Sequence, residues 1–251
     1  MVLTALEGVP FIQPGDNLVE IILEALEQSG LELMDGDLLV LAQKIVSKSE
    51  DRFINLKSVH PSGEAVELAG QTGKDARLIE IVLQESERVL RVRPGVIIVK
   101  HRLGFVCANA GVDHSNVSQD EQGDRVLLLP ENPDGSAARI RAQILAQTGV
   151  PIGILIIDSF GRAWRNGTVG TAIGLSGLTG LLDLRGKPDL YGEKLKITRV
   201  GLADELAAAA SVLMGEADEA RPIVHIRGIP YLPLDGSLAE LLRPESEDLF
   251  L

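Results

Sequence analysis

Between Gly153 and Gly174 the chain reads GILIIDSFGRAWRNGTVGTAIG, which concentrates residue types that handle charged ligands. A four-residue apolar, β-branched run at 154–157 has the length and composition of a buried strand. Asp158 and Ser159 follow it directly. A carboxylate delivered by the end of a strand is held rigidly, which suits a ligand for a hard cation. Arg162 and Arg165 flank Trp164, the only tryptophan, and guanidinium forks bind phosphate or carboxylate bidentately. Gly161, Gly167, Gly170 and Gly174 would let backbone come close to a ligand. The same residues also read as a strand, a charged turn and a tight loop, and spacing alone leaves both readings open.

Three further places carry chemistry. In ANAGVDHSN, Asp113 is a candidate hard-cation ligand and Asn116 a candidate donor to a base, ribose or phosphate; an Asx-turn would use the same two residues. His114 is a candidate catalytic base, although a lone loop histidine more often is polar surface. Gln43, Lys44 and Lys48 follow a second buried apolar run at 38–41, where the lysines are either a solvated strand end or point charges for phosphate. Glu216 lies just past Gly215, the expected end of a helix. A carboxylate there is disfavoured by the helix dipole unless a cation is near, although an acidic surface turn explains it equally.

The elements that must position these groups alternate along the chain. Asp16 is placed to cap a helix over 17–29 closed by Gly30. Ser62 caps a helix over 63–72 ended by Gly73, and a second helix is expected from Asp75 to about Leu90, with Glu85, Glu87 and Arg88 on its solvated face. A strand is expected over 96–99, an amphipathic helix over 136–148 after the turn at 132–135, a strand over 194–200, an alanine-rich helix over 205–214 capped by Asp204, and a last strand over 223–226.

The 251 residues carry a formal net charge of −12, against a nucleic-acid partner, with 45% hydrophobic and 24% charged residues in an ordinary globular proportion. Aromatics are only 3%, so aliphatic side chains must fill the core. A single cysteine, Cys107, excludes a disulfide framework within the chain and a CxxC zinc site, and fits a reducing compartment. No signal-peptide pattern or membrane-length apolar run is present, so a cytoplasmic location without membrane association is expected. Neither GxxxxGK[ST] nor GxGxxG occurs, so a nucleotide would be held outside the common phosphate loops.

In colinear order, GVPFIQPGDNL, QKIVSKSE, CANAGVDHSNV, LLLPENPDGSA, DSFGRAWRNGTVGTAIG, DLYGEKL and ADELAAAASVLMGE resemble the coenzyme F420-0 gamma-glutamyl ligase family from Leu6 to about Gly228. The resemblance implies an α+β fold of two interleaved subdomains, with mixed sheets and flanking helices, in an intertwined homodimer. It implies one ligase domain over 1–251 without the C-terminal reductase domain that some relatives carry. The implied reaction adds L-glutamate to the lactyl-phosphate carboxylate of F420-0, using GTP and a divalent metal (Mn2+ or Mg2+) helped by K+. The first addition makes an amide at the lactyl carboxyl and a later one a γ-glutamyl link.

The resemblance carries metal positions onto Asp113, Asp158, Ser159 and Glu216, of which Asp113 and Asp158 are taken as catalytic. It carries nucleotide positions onto Val9, Pro10, Phe11, Ile12, Gln43, Lys44, Lys48, Asn116 and the segment Met214, Gly215, Ala217, Asp218, Glu219, Ala220, Arg221. Where the family often has a glycine-rich turn after MGE, this chain has Ala217, Asp218, Glu219 and Ala220. Chemistry, and not the resemblance, assigns Arg162 and Arg165 to substrate phosphate or carboxylate. Two other classes would use the same residues: a metal-dependent nucleotide phosphohydrolase, marked by GTP turnover without glutamate, and a non-catalytic ligand-binding protein.

Overall fold

The computed structural model describes residues 1–114, 124–230 and 234–248. In chain order the first elements are β1 (Val2–Ala5), α1 (Leu18–Gln28), β2 (Leu38–Ala42) and α2 (Gln43–Ser49). Asn17, not Asp16, caps α1 by accepting from the Val19 amide, while the Asp16 carboxylate accepts from Gln13 N at 2.7 Å. Residues 43–49, expected as a strand end, form a helix that starts immediately where β2 stops.

Next come β3 (Phe53–Asn55), α3 (Gly63–Thr72), α4 (Ala76–Gln84), β4 (Ser86–Arg93), β5 (Val96–His101), β6 (Val106–Ala108) and β7 (Arg125–Leu127). The helix expected to reach Leu90 stops at Gln84. Glu85 is its C-cap, and the Glu85 carboxylate lies 3.3 Å from Arg52 and 3.1 Å from Arg102, so it is enclosed rather than solvated. The residues after it pair as β4 with β5 around Pro94 and Gly95, whose φ of 85° is the left-handed turn position that glycine accepts without strain.

The remaining elements are α5 (Pro133–Thr148), β8 (Gly153–Gly161), β9 (Thr168–Ser176), β10 (Leu182–Asp183), β11 (Arg199–Val200), α6 (Leu202–Met214) and β12 (Ile223–Arg227). β8 continues through Asp158 instead of ending before it, paired to β9 as far as Gly161 and Thr168. Of the strand expected over 194–200, only Arg199 and Val200 are in one. α6 begins before Asp204, whose carboxylate accepts from the Ala172 amide of β9 at 3.0 Å.

The architecture is α+β. The five-stranded sheet has the order β1-β12-β2-β8-β9, with β2 and β8 parallel and every other neighbouring pair antiparallel. Its central strands are buried on both faces, which is why they read as continuous apolar runs. Leu39, Leu41, Ile154 and Ile156 pack on one side with α1 and α5; Leu38, Val40, Leu155 and Ile157 pack on the other with α6. A Cβ at Gly170 would lie 2.6 Å from the Ala207 carbonyl, and one at Gly174 would strike Pro133. Both glycines therefore serve the packing of helices onto β9, not a ligand. A three-stranded sheet, β4-β5-β6, forms a separate core with α3 and α4 around Ile79, Val82, Ile97 and Val99, and β3 pairs with β7. Among the described residues no helix is long and apolar enough to cross a membrane.

His101 is fully buried at the end of β5, stacked on Phe105 at 5.1 Å, with Nδ1 accepting from the Leu103 amide. Burial, then the Arg102 and Arg52 guanidiniums, push its pKa down to about 4. A proton added below the unfolded value of 6.5 therefore goes to the unfolded chain first, and stability falls as pH drops from 6.5 towards 4. Denaturant unfolding is expected to lose about 2 kcal/mol from this residue between pH 7 and 5. The loss should vanish in His101→Phe; an unchanged pH slope in that variant would contradict the assignment.

Candidate functional site

Strand polarity gathers the chemistry-bearing segments at one end of the five-stranded sheet. β2 and β8 run parallel with Ala42 opposite Ile157, so Gln43, where β2 gives way to α2, and Asp158, where β8 continues beyond β2, stand at the same level. β12 runs the other way and starts there: Pro222 O accepts from Ala42 N at 2.8 Å, bringing in the segment from Met214 to Arg221. β1 ends there too, with Leu6 N donating to Ile223 O, so the segment Val9–Ile12 departs from this edge. Ligand sites favour the carboxyl ends of parallel strands because the chain turns there and exposes backbone and side chains together.

Asp113 reaches the site from elsewhere in the fold. It is fixed by two backbone hydrogen bonds with Leu127, of 2.9 and 2.8 Å. Its Oδ2 accepts from Gln43 Nε2 at 2.8 Å and lies 3.2 Å from Lys44 Nζ. Across the site, Ser159 Oγ donates to Glu216 Oε1 at 2.7 Å, tying β8 to the turn beyond α6. Asp158 stands electrostatically between the two arrangements. Burial, then the Asp113 charge, push its carboxyl up to about 7, with Glu216 adding to the rise and Lys44 opposing it. Burial likewise raises the Asp113 carboxyl against the pull of Lys44 and Gln43. Burial and the Lys44 charge lower the Lys48 ammonium, one turn along α2. The neighbouring Cys107 thiol is buried and pushed up to about 12 by burial and by Asp158, so it is an inert thiol.

The four residues read as metal positions thus lie at one sheet end, although no three His, Cys, Asp or Glu side chains among the described residues are gathered as a ready ligand set. Their chemistry suits a hard divalent cation: carboxylate and hydroxyl oxygens, with Asp158 and Asp113 raised by burial, so that added positive charge would relieve those two carboxyls.

Other expected positions divide. Ile12 and Met214 are 4% and 8% exposed and their side chains pack in the core instead of reaching a ligand. Gln43 is 1% exposed, with its amide engaged by Asp113 and Ser47; its side chain therefore supports Asp113 instead of facing a nucleotide. Phe11 is 92% exposed, and Val9 and Pro10 share its loop. Ala217, Asp218, Glu219, Ala220 and Arg221 are exposed. In that turn Glu219 accepts from Ala217 N at 2.9 Å, and Ala220 takes a φ of 54° that glycine would hold with less strain. Arg162, Trp164 and Arg165 are exposed at the tip between β8 and β9, with Arg162 donating to Gly167 O at 3.2 Å. Asn116 lies outside the described residues. Ser47 is fully buried and bonded to Gln43, a role that the sequence carries only as an i+4 spacing from Gln43.

The family model described as F420-0:Gamma-glutamyl ligase matches residues 8–228. The chain is 46% identical over 250 residues to the coenzyme F420:L-glutamate ligase of Methanothermobacter thermautotrophicus, covering 99% of this chain and 98% of that protein. It is 45% identical over 216 residues to the protein of the same name from Methanocaldococcus jannaschii, covering 86% of this chain and 85% of the relative. With the Archaeoglobus fulgidus protein of that name it shares 44% over 243 residues, or 97% and 93% of the two chains.

Because Asp158 is held charged at a cost to the fold, Asp158→Asn should raise the melting temperature of the metal-free protein at pH 8 while removing turnover. A lower melting temperature at that pH would contradict the electrostatic picture of the site.

Proposed function

The chain belongs to the F420-0:Gamma-glutamyl ligase family and is an amide-forming ligase; from that premise we propose that it joins L-glutamate to F420-0 with GTP and a divalent cation. The observation that carries this reading is the convergence of acids and lysines from separate segments at one sheet end. Amide formation from a carboxylate needs activation. The lactyl carboxylate attacks the γ-phosphorus of GTP, GDP leaves, and the amine of glutamate displaces phosphate from the resulting acyl phosphate. No nucleophilic side chain is required.

The difficulty is charge, since carboxylate and triphosphate repel. A bound Mn2+ or Mg2+ would supply neutralisation and alignment of the phosphoryl group. Asp113, Asp158, Ser159 and Glu216 are the residues that would hold it, with K+ as an accessory cation. Lys44 and Lys48, on one face of α2, would hold phosphates as point charges. The loop of Val9, Pro10, Phe11 and Ile12 and the turn from Met214 to Arg221 depart from the same sheet end and would enclose the nucleotide, with Asn116 assigned to it by the resemblance alone. The exposed Arg162 and Arg165 would meet the phosphate or carboxylates of F420-0. A homodimer completes the proposal, supported by Leu190, Tyr191 and Ile197, which are 100%, 93% and 86% exposed between β10 and α6.

Incubation with F420-0, L-glutamate, GTP and Mn2+ should give a product heavier by a glutamyl residue in mass spectrometry. GTP hydrolysis without that product would overturn the ligase reading in favour of a phosphohydrolase. Lys48→Ala should lower kcat/KM for GTP roughly ten- to hundredfold, as expected for one charged hydrogen bond, and leave the KM for glutamate in place. A change under twofold would put the phosphates elsewhere. Light scattering should return twice the chain mass of 26.9 kDa; the monomer mass at micromolar concentration would refute the dimer.

A further inference from the structure

α2 carries two polar side chains that face inward. Ser47 is fully buried and Gln43 is 1% exposed. A serine in a helix usually turns its hydroxyl to the carbonyl four residues back. Here Ser47 Oγ donates at 2.7 Å to the side-chain oxygen of Gln43, and Gln43 Nε2 donates at 2.8 Å to Asp113 Oδ2. The chain of donors has one consistent direction. Were the Gln43 amide turned over, its oxygen would face the Asp113 carboxylate and its nitrogen the Ser47 hydroxyl. The Asp113 carboxylate, which only accepts, excludes that alternative, and the Ser47 hydroxyl donates to the amide oxygen so placed and ties it down.

We infer that Ser47 and Gln43 are positioning residues that fix the orientation of the Asp113 carboxylate, leaving its Oδ1 edge for a divalent cation. This rests on the reading of Asp113 as a cation ligand. Ser47 touches neither cation nor substrate and acts only through Gln43. The apolar members of the same helix, Ile45 and Val46, pack in the main core, so α2 is anchored independently of the polar pair. Loss of the Ser47 hydroxyl should therefore leave the helix in place and free the amide.

The test is Mn2+ binding to the nucleotide-free protein, followed by calorimetry with melting temperature measured alongside. Ser47→Ala and Gln43→Met should each weaken Mn2+ roughly tenfold, the lower end of the range for partners that orient metal ligands. The double variant should be no weaker than Gln43→Met alone, because one residue acts through the other. Ser47→Thr, which keeps the hydroxyl, should restore affinity. Gln43→Met probes the relay even if a Ser47 variant fails to fold. Wild-type Mn2+ affinity in both single variants, with affinity lost in Asp113→Asn, would overturn the positioning role alone. Additive losses in the double variant would overturn it as well. Wild-type affinity in Asp113→Asn would overturn the underlying reading of Asp113, and the relay with it.

Discussion

Half-buried carboxylates that disfavour one another's charge are the constraint on which this site depends. Asp158 sits where burial, Asp113 and Glu216 all disfavour its charge, and Asp113 is itself raised by burial. A fold that only needed to be stable would replace such groups, because an uncompensated buried charge is among the costliest features a protein can carry. The arrangement persists because the surrounding structure over-determines it: two backbone bonds between Asp113 and Leu127, the β8–β9 register through Ser159, and the side-chain hydrogen bond from Ser159 to Glu216.

Lys44 supplies part of the compensation. Its ammonium lies against Asp113 and lowers the carboxyls of both aspartates. The lysine is on α2, whose start is fixed by the end of β2, so the countercharge is positioned by the same parallel pair of strands that positions Asp158. A group that stabilises the acids while the site is empty is also placed to meet an anionic ligand. On the proposed reading, charge is exchanged at a fixed sheet end, and the acyl phosphate forms on the substrate without a bond to any side chain.

Much of this was legible in the sequence where local chemistry decides local structure. The runs at 38–41 and 154–157 read as strands because both faces are buried, and Ser62 and Gly73 punctuate α3 through a side-chain bond and a left-handed backbone; at 132–135 the expected turn is instead the Asn132 cap and first turn of α5, which starts at Pro133 and not at Ser136. Sequence and structure part where tertiary partners decide. Glu85 ends α4 within a cluster of Arg52, Arg102 and buried His101, none of them near it in that helix. Residues 43–49 are amphipathic only once it is known that Gln43 and Ser47 point inward. Gly170 and Gly174 looked like ligand-facing glycines, yet α6 and α5 occupy the space. Of the site, the residue types and their segments were readable; that Ile12, Gln43 and Met214 turn their side chains inward was not, because burial at a segment's edge depends on elements far along the chain.

The claim that the acids form one electrostatic unit is tested most directly by titrating Asp158 itself. Isotope-edited infrared or NMR spectroscopy of the metal-free protein should find its carboxyl ionising near pH 7, and Asp113→Asn should bring that value down by removing the neighbouring charge. An Asp158 that ionises near its ordinary value of 3.8, unmoved by Asp113→Asn, would contradict the account.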